Sequence, residues 1–290
     1  MPARRKSSNQ AGLIKQAVER SRRNRDAYTR KQAKQLQEEL ARAARDVRAE
    51  LGRFEEMVAP TPGQAARLAH LNALKERIDD IAGELEKNLT ALVPENVEGA
   101  VNLGVRDGIA DLKTIKVPGY DALTAPGIDG LAASVFSRID RSALDFLVNF
   151  QIELMGDVAD QLKRSIKSRV SSGIIAGKSM PEIARDIGTV IKDEETFRKA
   201  GRTVFKSAQH RVNLITRTEV NRAHNQGRMK FYKMAGVKKV QWFATLDKRT
   251  APLDRSYHKQ VFDIDKVPDI PLHPLCRCSS CAVNTDFVET

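Results

Sequence analysis

The apolar residues of the first hundred positions fall into two stretches with helical spacing. In the first stretch they recur mostly at steps of three and four, at Leu36, Leu40, Ala43, Val47, Phe54 and Met57. The second contains Leu71, Leu74, Ile78, Ile81, Leu85, Leu89 and Leu92. Such steps place side chains on one face of a helix. Two prolines and a glycine in residues 59–63 would end the first helix. We therefore predict an antiparallel coiled-coil hairpin over residues 36–95.

The segment before this hairpin is basic and contains few apolar residues between Glu19 and Gln35. Because it offers no apolar face to the hairpin, we predict a basic helical arm over residues 1–35 that projects beyond it. Residues 1–50 contain 14 Lys or Arg against 6 Asp or Glu, within a net charge of +12. This charge favours DNA as a ligand, although a solvated helix has the same composition. The candidate DNA contacts are Arg4, Arg5, Lys6, Arg22, Arg23, Arg25, Arg30, Lys31 and Lys34.

Residues 96–236 are predicted to form a helical domain. Apolar periodicity predicts helices over 96–115, 141–172 and 196–235. Ser179, followed by Pro181 and Glu182, is typical of a further helix start. The many prolines and glycines of 117–130 indicate a loop.

The character of the chain changes after Gly236. Residues 240–245 are aromatic and β-branched, which predicts a strand, and 261–262 and 278–283 are shorter candidates. Residues 247–250 are predicted to form a turn. The fold class is therefore mainly α: a long antiparallel helical hairpin plus a helical bundle, with a small β-rich, α+β cap over residues 237–290.

Several classes of protein are disfavoured by the composition. No run of about 18 apolar residues is present, so we predict no membrane-spanning helix and no membrane partner. The N-terminus lacks the apolar segment of a secretory signal. Catalytic signatures such as G-x-S-x-G, a glycine-rich phosphate loop and H-E-x-x-H are absent, which favours a non-enzymatic protein. Only spacing suggests a nuclease-like metal site at Asp247, Asp254 and His258.

Four short elements after Ile215 carry a family resemblance. They are Thr216-Arg-Thr-Glu219 followed by Asn221, Trp242 followed by the Asp247-x-Arg-Thr250 turn, Val261-Phe262, and His273-Pro-x-Cys-Arg-Cys278. In this order and spacing they resemble the phage Mu F-like family of minor head, or head-morphogenesis, proteins. The resemblance covers about residues 140–285 and does not include the predicted hairpin.

The resemblance implies a phage minor head protein that is present in few copies in the virion. It implies a location inside the capsid at the portal vertex, after assembly in the host cytoplasm, with the portal protein as partner. Packaged phage DNA and the major capsid or scaffolding protein are further candidate partners, and DNA packaging or ejection is a further role. Two alternatives stay open: a non-specific DNA-binding protein that uses the basic N-terminal helix, and a nuclease or toxin-like hydrolase.

We interpret the motif residues as structural. They are Arg217, Thr218, Glu219, Trp242, Asp247, Arg249 and Thr250. Arg217 and Glu219 are expected to pair and to fix their helix to the cap, and Asp247 and Arg249 to join the same network. Trp242 is expected to fill the core of the cap.

The C-terminal cysteines and a histidine are candidate zinc ligands. Many members of the family carry thiols or a histidine after the D-x-R-T turn, where this chain has Ala251 and Asp254. The remaining candidate ligands for Zn²⁺ are His273, Cys276, Cys278 and Cys281, with Asp254 or His258 to complete the set. The alternative is that the cysteines are small buried hydrophobes and that His273 bonds to the backbone.

Overall fold

A computed structural model describes residues 2–58, 64–116, 127–188 and 204–284. In the first helix the side chains are described from Gln10 onward, so the predicted DNA contacts Arg4, Arg5 and Lys6 lie outside the described side chains. Most of the predicted loop at 117–130 and the start of the predicted 196–235 helix also lie outside the described residues.

The described chain is mainly helical and ends in a small antiparallel sheet, which confirms the predicted fold class. The elements are α1 (Pro2–Val58), α2 (Gln64–Ala91), α3 (Val93–Thr114), α4 (Ile128–Ser137), α5 (Arg141–Ile175), α6 (Met180–Ile187), α7 (Val204–Met234), β1 (Lys239–Phe243), α8 (Pro252–Tyr257), β2 (Val261–Asp263) and β3 (Ser279–Ala282). Across the described ranges, no helix is long and apolar enough to cross a membrane.

The chain forms two compact units, each built from segments that are distant in sequence. Unit 1 comprises residues 1–32, 94–148 and 216–290, and unit 2 comprises residues 33–93 and 149–215.

The start of α1 is part of the core of unit 1. Ile14, Ala17 and Val18 are buried together with apolar residues of α3, α4, α7 and the sheet. The prediction that this basic segment projects as an arm is therefore wrong for residues 14–32. The reason is that a few small apolar side chains, spaced by three and four residues, are enough to pack against α3 and α7.

Helices α3 and α7 touch backbone to backbone in unit 1. A Cβ atom added at Gly104 would overlap the carbonyl oxygen of His224, and one added at Gly227 would overlap the carbonyl oxygen of Val101. Only glycine permits this approach, because backbone atoms of a packed helix cannot move aside as the end of a side chain can.

An ion pair without solvent contact lies between these helices. Arg228 of α7 and Asp111 of α3 are both fully buried, and Arg228 Nε donates to Asp111 Oδ2 over 2.8 Å. The Tyr232 hydroxyl donates to the same oxygen over 2.6 Å, and Arg20 of α1 donates to Oδ1 over 2.8 Å. Arg228 also donates to the hydroxyl of Ser279 in β3 over 2.7 Å. One carboxylate thus connects α1, α3 and α7, and through Arg228 the sheet.

A second buried pair joins the same two helices. The ring of His224 in α7 lies 2.9 Å from a carboxylate oxygen of Asp107 in α3. Burial lowers the pKa of His224 in spite of this neighbour. Burial is the largest influence on Asp107 and opposes its ionisation, but the hydrogen bond and charge of His224, the hydrogen bond from Asn24 and the charge of Arg228 together leave the pKa of Asp107 below its ordinary value.

Unit 2 buries the apolar faces predicted for the hairpin. Leu36, Leu40, Ala43, Val47 and Phe54 of α1 and Leu74, Ile78, Leu85 and Leu89 of α2 are buried. Met57, predicted for the same face, is 46% exposed. Asn88 of α2 donates to Glu39 of α1 over 3.0 Å. Glu39 and Asn88 lie at similar distances along the chain before and after residues 59–63. Contacts between such positions are expected for two antiparallel helices. The other helical segments of the unit make polar contacts with the pair, from Asn213 to Gln37 and from Lys167 to Asp79.

Helix α6 begins as predicted. The backbone N–H and the hydroxyl of Ser179 both donate to Glu182 over 2.8 Å, which satisfies donors at the start of the helix. The helix ends at Gly188, which has a φ of 84°. Glycine adopts this left-handed conformation at low cost.

The sheet confirms the three predicted strands, with β1 between β2 and β3. Val240 pairs with Phe262 on one side and with Ala282 on the other, both antiparallel. Two short helical segments were not predicted. Residues 128–130, assigned to a loop, begin α4, and Pro252 begins α8 immediately after the D-x-R-T turn.

We expect a single methyl group added between α3 and α7 to destabilise the protein. Gly227→Ala should lower the free energy of unfolding by about 1–3 kcal/mol, because the added carbon overlaps the Val101 backbone and forces the helices apart. The measurement is urea unfolding followed by circular dichroism. Gly12→Ala in α1 is the matched control, because a Cβ there meets nothing within 4 Å. It should leave stability unchanged or raise it by about 0.5–1 kcal/mol. Equal stability of Gly227→Ala and the wild type would contradict the packing.

Candidate functional site

The His273–Cys278 segment is fixed to α7 by two motif residues. The backbone N–H of Leu275 donates to the Thr218 hydroxyl over 3.1 Å, and Asn221 donates to the Cys276 carbonyl over 2.9 Å. Leu275 has a φ of 61°, a conformation that a leucine rarely adopts. The hydrogen bond to the Thr218 hydroxyl holds the backbone at that residue. Thr218 and Asn221 therefore position the loop.

Arg25 of α1 completes this contact and is not available to DNA. Its guanidinium donates to Asn221 Oδ1 over 2.6 Å and to the Cys278 carbonyl over 3.2 Å, and only 4% of the residue is exposed. Arg22 donates to the Phe243 carbonyl over 3.0 Å, and burial lowers its pKa to about 10. The assignment of Arg25 to DNA is wrong because the guanidinium is buried, and Arg22 is half-buried on the sheet. Arg23, Arg30, Lys31 and Lys34 are exposed.

The D-x-R-T turn is held by an ion pair that the sequence did not indicate. Arg277 donates to both carboxylate oxygens of Asp247, over 2.5 and 2.7 Å. The N–H of Arg249 donates to Asp247 Oδ1 over 2.8 Å, and the Thr250 hydroxyl accepts from the N–H of Asp247 over 2.9 Å. The hydrogen bonds from Arg277 and then from Arg249 hold the pKa of Asp247 well below its ordinary value. This network connects the turn to the cysteine loop.

The predicted pairing of Arg217 with Glu219 is wrong. Arg217 is exposed, whereas Glu219 is buried and accepts a hydrogen bond from Arg222 over 2.9 Å. Side chains two residues apart point to different faces of a helix, whereas those three apart share one. Arg249 approaches Asp247 only to 3.8 Å with a side chain that is 75% exposed, so Arg277 is the main partner of this carboxylate.

Trp242 lies in the core of the cap, as predicted. It is fully buried in β1, and its ring contacts Tyr257 and Phe262 edge-on at centroid distances of 5.4 and 6.4 Å. It shares an apolar cluster with Cys276 and Cys278. The tryptophan therefore forms part of the wall around the two thiols.

Two cysteines and an aspartate form a buried cluster of metal-ligand types. Single ligand atoms of Asp254, Cys276 and Cys278 all lie within 4.8 Å of one another, and all three residues are buried. Cys276 Sγ lies 3.8 and 3.9 Å from the two oxygens of Asp254. His273 Nε2 lies 2.8 Å from Asp254 Oδ2. The unpredicted helix α8 supplies the carboxylate, and the His273–Cys278 segment supplies the thiols and the imidazole.

The two thiols affect each other's pKa. The hydrogen bond with Cys278 lowers the pKa of Cys276, and the same bond raises the pKa of Cys278. The hydrogen bond between His273 and Asp254 raises the pKa of His273.

Two of the residues proposed for the zinc site lie elsewhere. Cys281 is buried in the other apolar cluster of unit 1, near Tyr232, and burial raises its pKa to about 12. A strand places alternate side chains on opposite faces, which separates Cys281 from the adjoining cysteines. His258 accepts a hydrogen bond from the N–H of Ala244 over 3.2 Å through Nδ1. Asp247, the third residue of the nuclease-like set, is paired with Arg277.

We expect the pKa of Asp247 to depend on Arg277 much more than on Arg249. Arg277→Gln should raise this pKa toward the ordinary value of roughly 3.9, because it removes the two charged hydrogen bonds. Arg249→Gln is the matched control and should change the pKa little, since its backbone N–H remains. The measurement is a carbon-13 NMR titration of the carboxyl group. Because the folded-state pKa is depressed, the stabilisation is present above roughly pH 4 and is lost as the pH falls further. Equal shifts in both variants would contradict the assignment.

Comparison with known proteins identifies one family. The family model described as Phage Mu protein F like protein matches residues 164–281, which lie within the range of the resemblance read from the motifs. No curated protein and no solved structure matches the chain. The matched range includes Thr218, Asn221, Asp247, Asp254 and Cys276, whose contacts hold the cap together. Residues 164–281 of this chain are therefore similar to phage Mu protein F like proteins.

Proposed function

We propose that this chain is a non-enzymatic minor head protein of a tailed bacteriophage that acts in head morphogenesis. The match over residues 164–281 is the observation that carries the proposal. It is supported by the part that the motif residues play in the fold. Thr218, Asn221 and Asp247 bind backbone or other side chains of the cap. Residues used in this way fit a folded module that presents a surface to other virion proteins.

We further propose that the cap contacts the portal protein at its vertex inside the capsid. Leu246, Leu253 and Leu275 are 52, 51 and 40% exposed. Each is adjacent in the chain to a residue of the Asp247–Arg277 or Asp254–Cys276 contact, so all three belong to the cap. Exposed leucines of this kind are suited to a protein interface. The major capsid or scaffolding protein is an additional partner in this proposal, and the virion is the final location.

Co-expression with the portal protein encoded by the same phage tests both steps. The full chain should co-purify with the portal, and it should be found in mature virions by mass spectrometry. The triple variant Leu246→Ser, Leu253→Ser and Leu275→Ser should lose the association at least tenfold, because it removes apolar area from the proposed interface.

Ile175→Ser is the matched control, since Ile175 is 87% exposed and belongs to unit 2. It should bind the portal as the wild type does. Retained binding by the leucine variant would exclude the cap as the interface. Failure of the wild-type chain both to bind the portal and to enter virions would refute the minor head assignment.

Non-specific DNA binding is a second function that the exposed basic residues of α1 favour. Arg23, Arg30 and Lys31 are exposed in unit 1. Arg23 and Arg30 are seven residues apart and therefore share a helix face. We propose that these side chains contact phosphates of packaged DNA during packaging or ejection, without reading sequence. Lys34 is exposed as well, and its ammonium lies 3.9 Å from Glu38.

The salt dependence of DNA affinity tests this second function. Wild-type affinity for a duplex of arbitrary sequence should fall steeply with salt, and the triple variant Arg23→Ala, Arg30→Ala and Lys31→Ala should bind more weakly with a slope shallower by roughly two to three. The measurement is fluorescence anisotropy. The variant with Arg42, Arg45 and Arg48 changed to Ala carries the same change in charge and should bind nearly as the wild type. Equal losses in both variants, or no binding by the wild type, would rule out a site on this segment.

A further inference from the structure

The cluster of Asp254, Cys276 and Cys278 has the donor set of a metal site. Thiolates together with a carboxylate or an imidazole are ligands that Zn²⁺ accepts, whereas Mg²⁺ and Ca²⁺ prefer oxygen alone. The cluster lies among Trp242, Ala244 and Ile270, which exclude water from it. The buried side chains converge from two elements that are about 20 residues apart in the chain.

The distances in the cluster fit a tetrahedral ion. Zinc bonds of about 2.3 Å to sulfur and about 2.1 Å to oxygen place neighbouring ligand atoms of a tetrahedron roughly 3.6 Å apart. Cys276 Sγ lies 3.8 Å from Asp254 Oδ1, and the three ligand atoms fall within 4.8 Å of one another. The separation of Cys276 and Asp254 is thus already close to that of two zinc ligands, and shifts of at most about an ångström would bring Cys278 to the same centre.

The charge of the cluster gives a physical reason for a cation. A carboxylate buried to 3% exposure beside two thiols is an unfavourable arrangement in an apolar pocket unless positive charge compensates it. His273 lies 2.8 Å from this carboxylate. A divalent ion held by Asp254 and the two sulfur atoms would supply the positive charge that the carboxylate requires.

We propose that Asp254, Cys276 and Cys278 bind one Zn²⁺, with His273 as the fourth ligand. Zinc sites that stabilise a fold are closed by four protein ligands, and His273 is a further ligand-type residue whose Nε2 lies 2.8 Å from Asp254. Its imidazole would exchange the hydrogen bond with Asp254 for the metal. The ion would tie α8 to the His273–Cys278 loop and stabilise the cap, independently of any partner that the cap binds.

Metal analysis of cysteine variants tests the site. The full chain, produced with added zinc and dialysed, should contain about one zinc ion per molecule by mass spectrometry of the element. Cys276→Ser and Cys278→Ser should lose it. Cys281→Ser is the matched control, because that thiol is also buried but lies in the other cluster, and it should retain zinc. Circular dichroism establishes that each variant is folded, and Asp254→Asn replaces any serine variant that is not.

Cobalt substitution provides a readout of the ligands. The wild type and Cys281→Ser should show thiolate-to-cobalt charge transfer together with the intense visible bands of tetrahedral Co²⁺. Cys278→Ser should show a weakened charge-transfer band, and His273→Gln should bind cobalt more weakly while keeping that band. The proposal is overturned if folded wild-type protein contains no zinc and gives no thiolate band, or if Cys281→Ser loses metal as the other cysteine variants do.

Discussion

The buried carboxylate of Asp111 is the group on which the arrangement of unit 1 depends. Removing two charges from water costs several kcal/mol for each ion, and one contact between them does not repay that cost. In this protein several hydrogen bonds together offset the desolvation cost, since Arg228, Tyr232 and Arg20 all donate to the carboxylate of Asp111. These donors come from α7 and α1, and Arg228 also holds Ser279 in β3. Loss of any one element would leave a buried charge without its partners, so helices and sheet must assemble together.

This constraint explains why only some of the basic side chains of the N-terminal segment are exposed. Arg20 and Arg25 point inward and satisfy oxygen atoms of α3, α7 and the cysteine loop, while Arg23 and Arg30 stay exposed on the same helix. Arginine therefore has two roles in this helix, to bond buried oxygen atoms on one face and to remain exposed on the other. Glycine at 104 and 227 makes the inward role feasible, because α3 and α7 come close enough for one carboxylate of α3 to receive donors from two other helices, α1 and α7.

Several residues of the motif bind other parts of the cap. Thr218 and Asn221 fix the backbone of the cysteine loop, and Asp247 fixes Arg277 within that loop. The loop in turn brings Cys276 and Cys278 to Asp254 on α8. A chain of contacts thus runs from the buried core of α7 to the proposed zinc ligands. The proposed portal contact at the leucines of the cap would use a surface whose backbone these bonds hold in place.

The sequence alone determined the helices, because periodic apolar residues and strong caps such as Ser179 with Glu182 act over a few positions. It also determined the three strands, the burial of Trp242 and the family, through motifs of fixed spacing. It did not determine which charged residues are buried. Arg25 and Arg23 look alike in the sequence, and Glu219 was assigned to Arg217 instead of Arg222. Partners such as Arg277 with Asp247 are 30 residues apart, and the α8 carboxylate meets thiols more than 20 residues away. Only tertiary structure decides such pairs, because burial and ion pairing depend on which helix faces meet, and no local pattern encodes that.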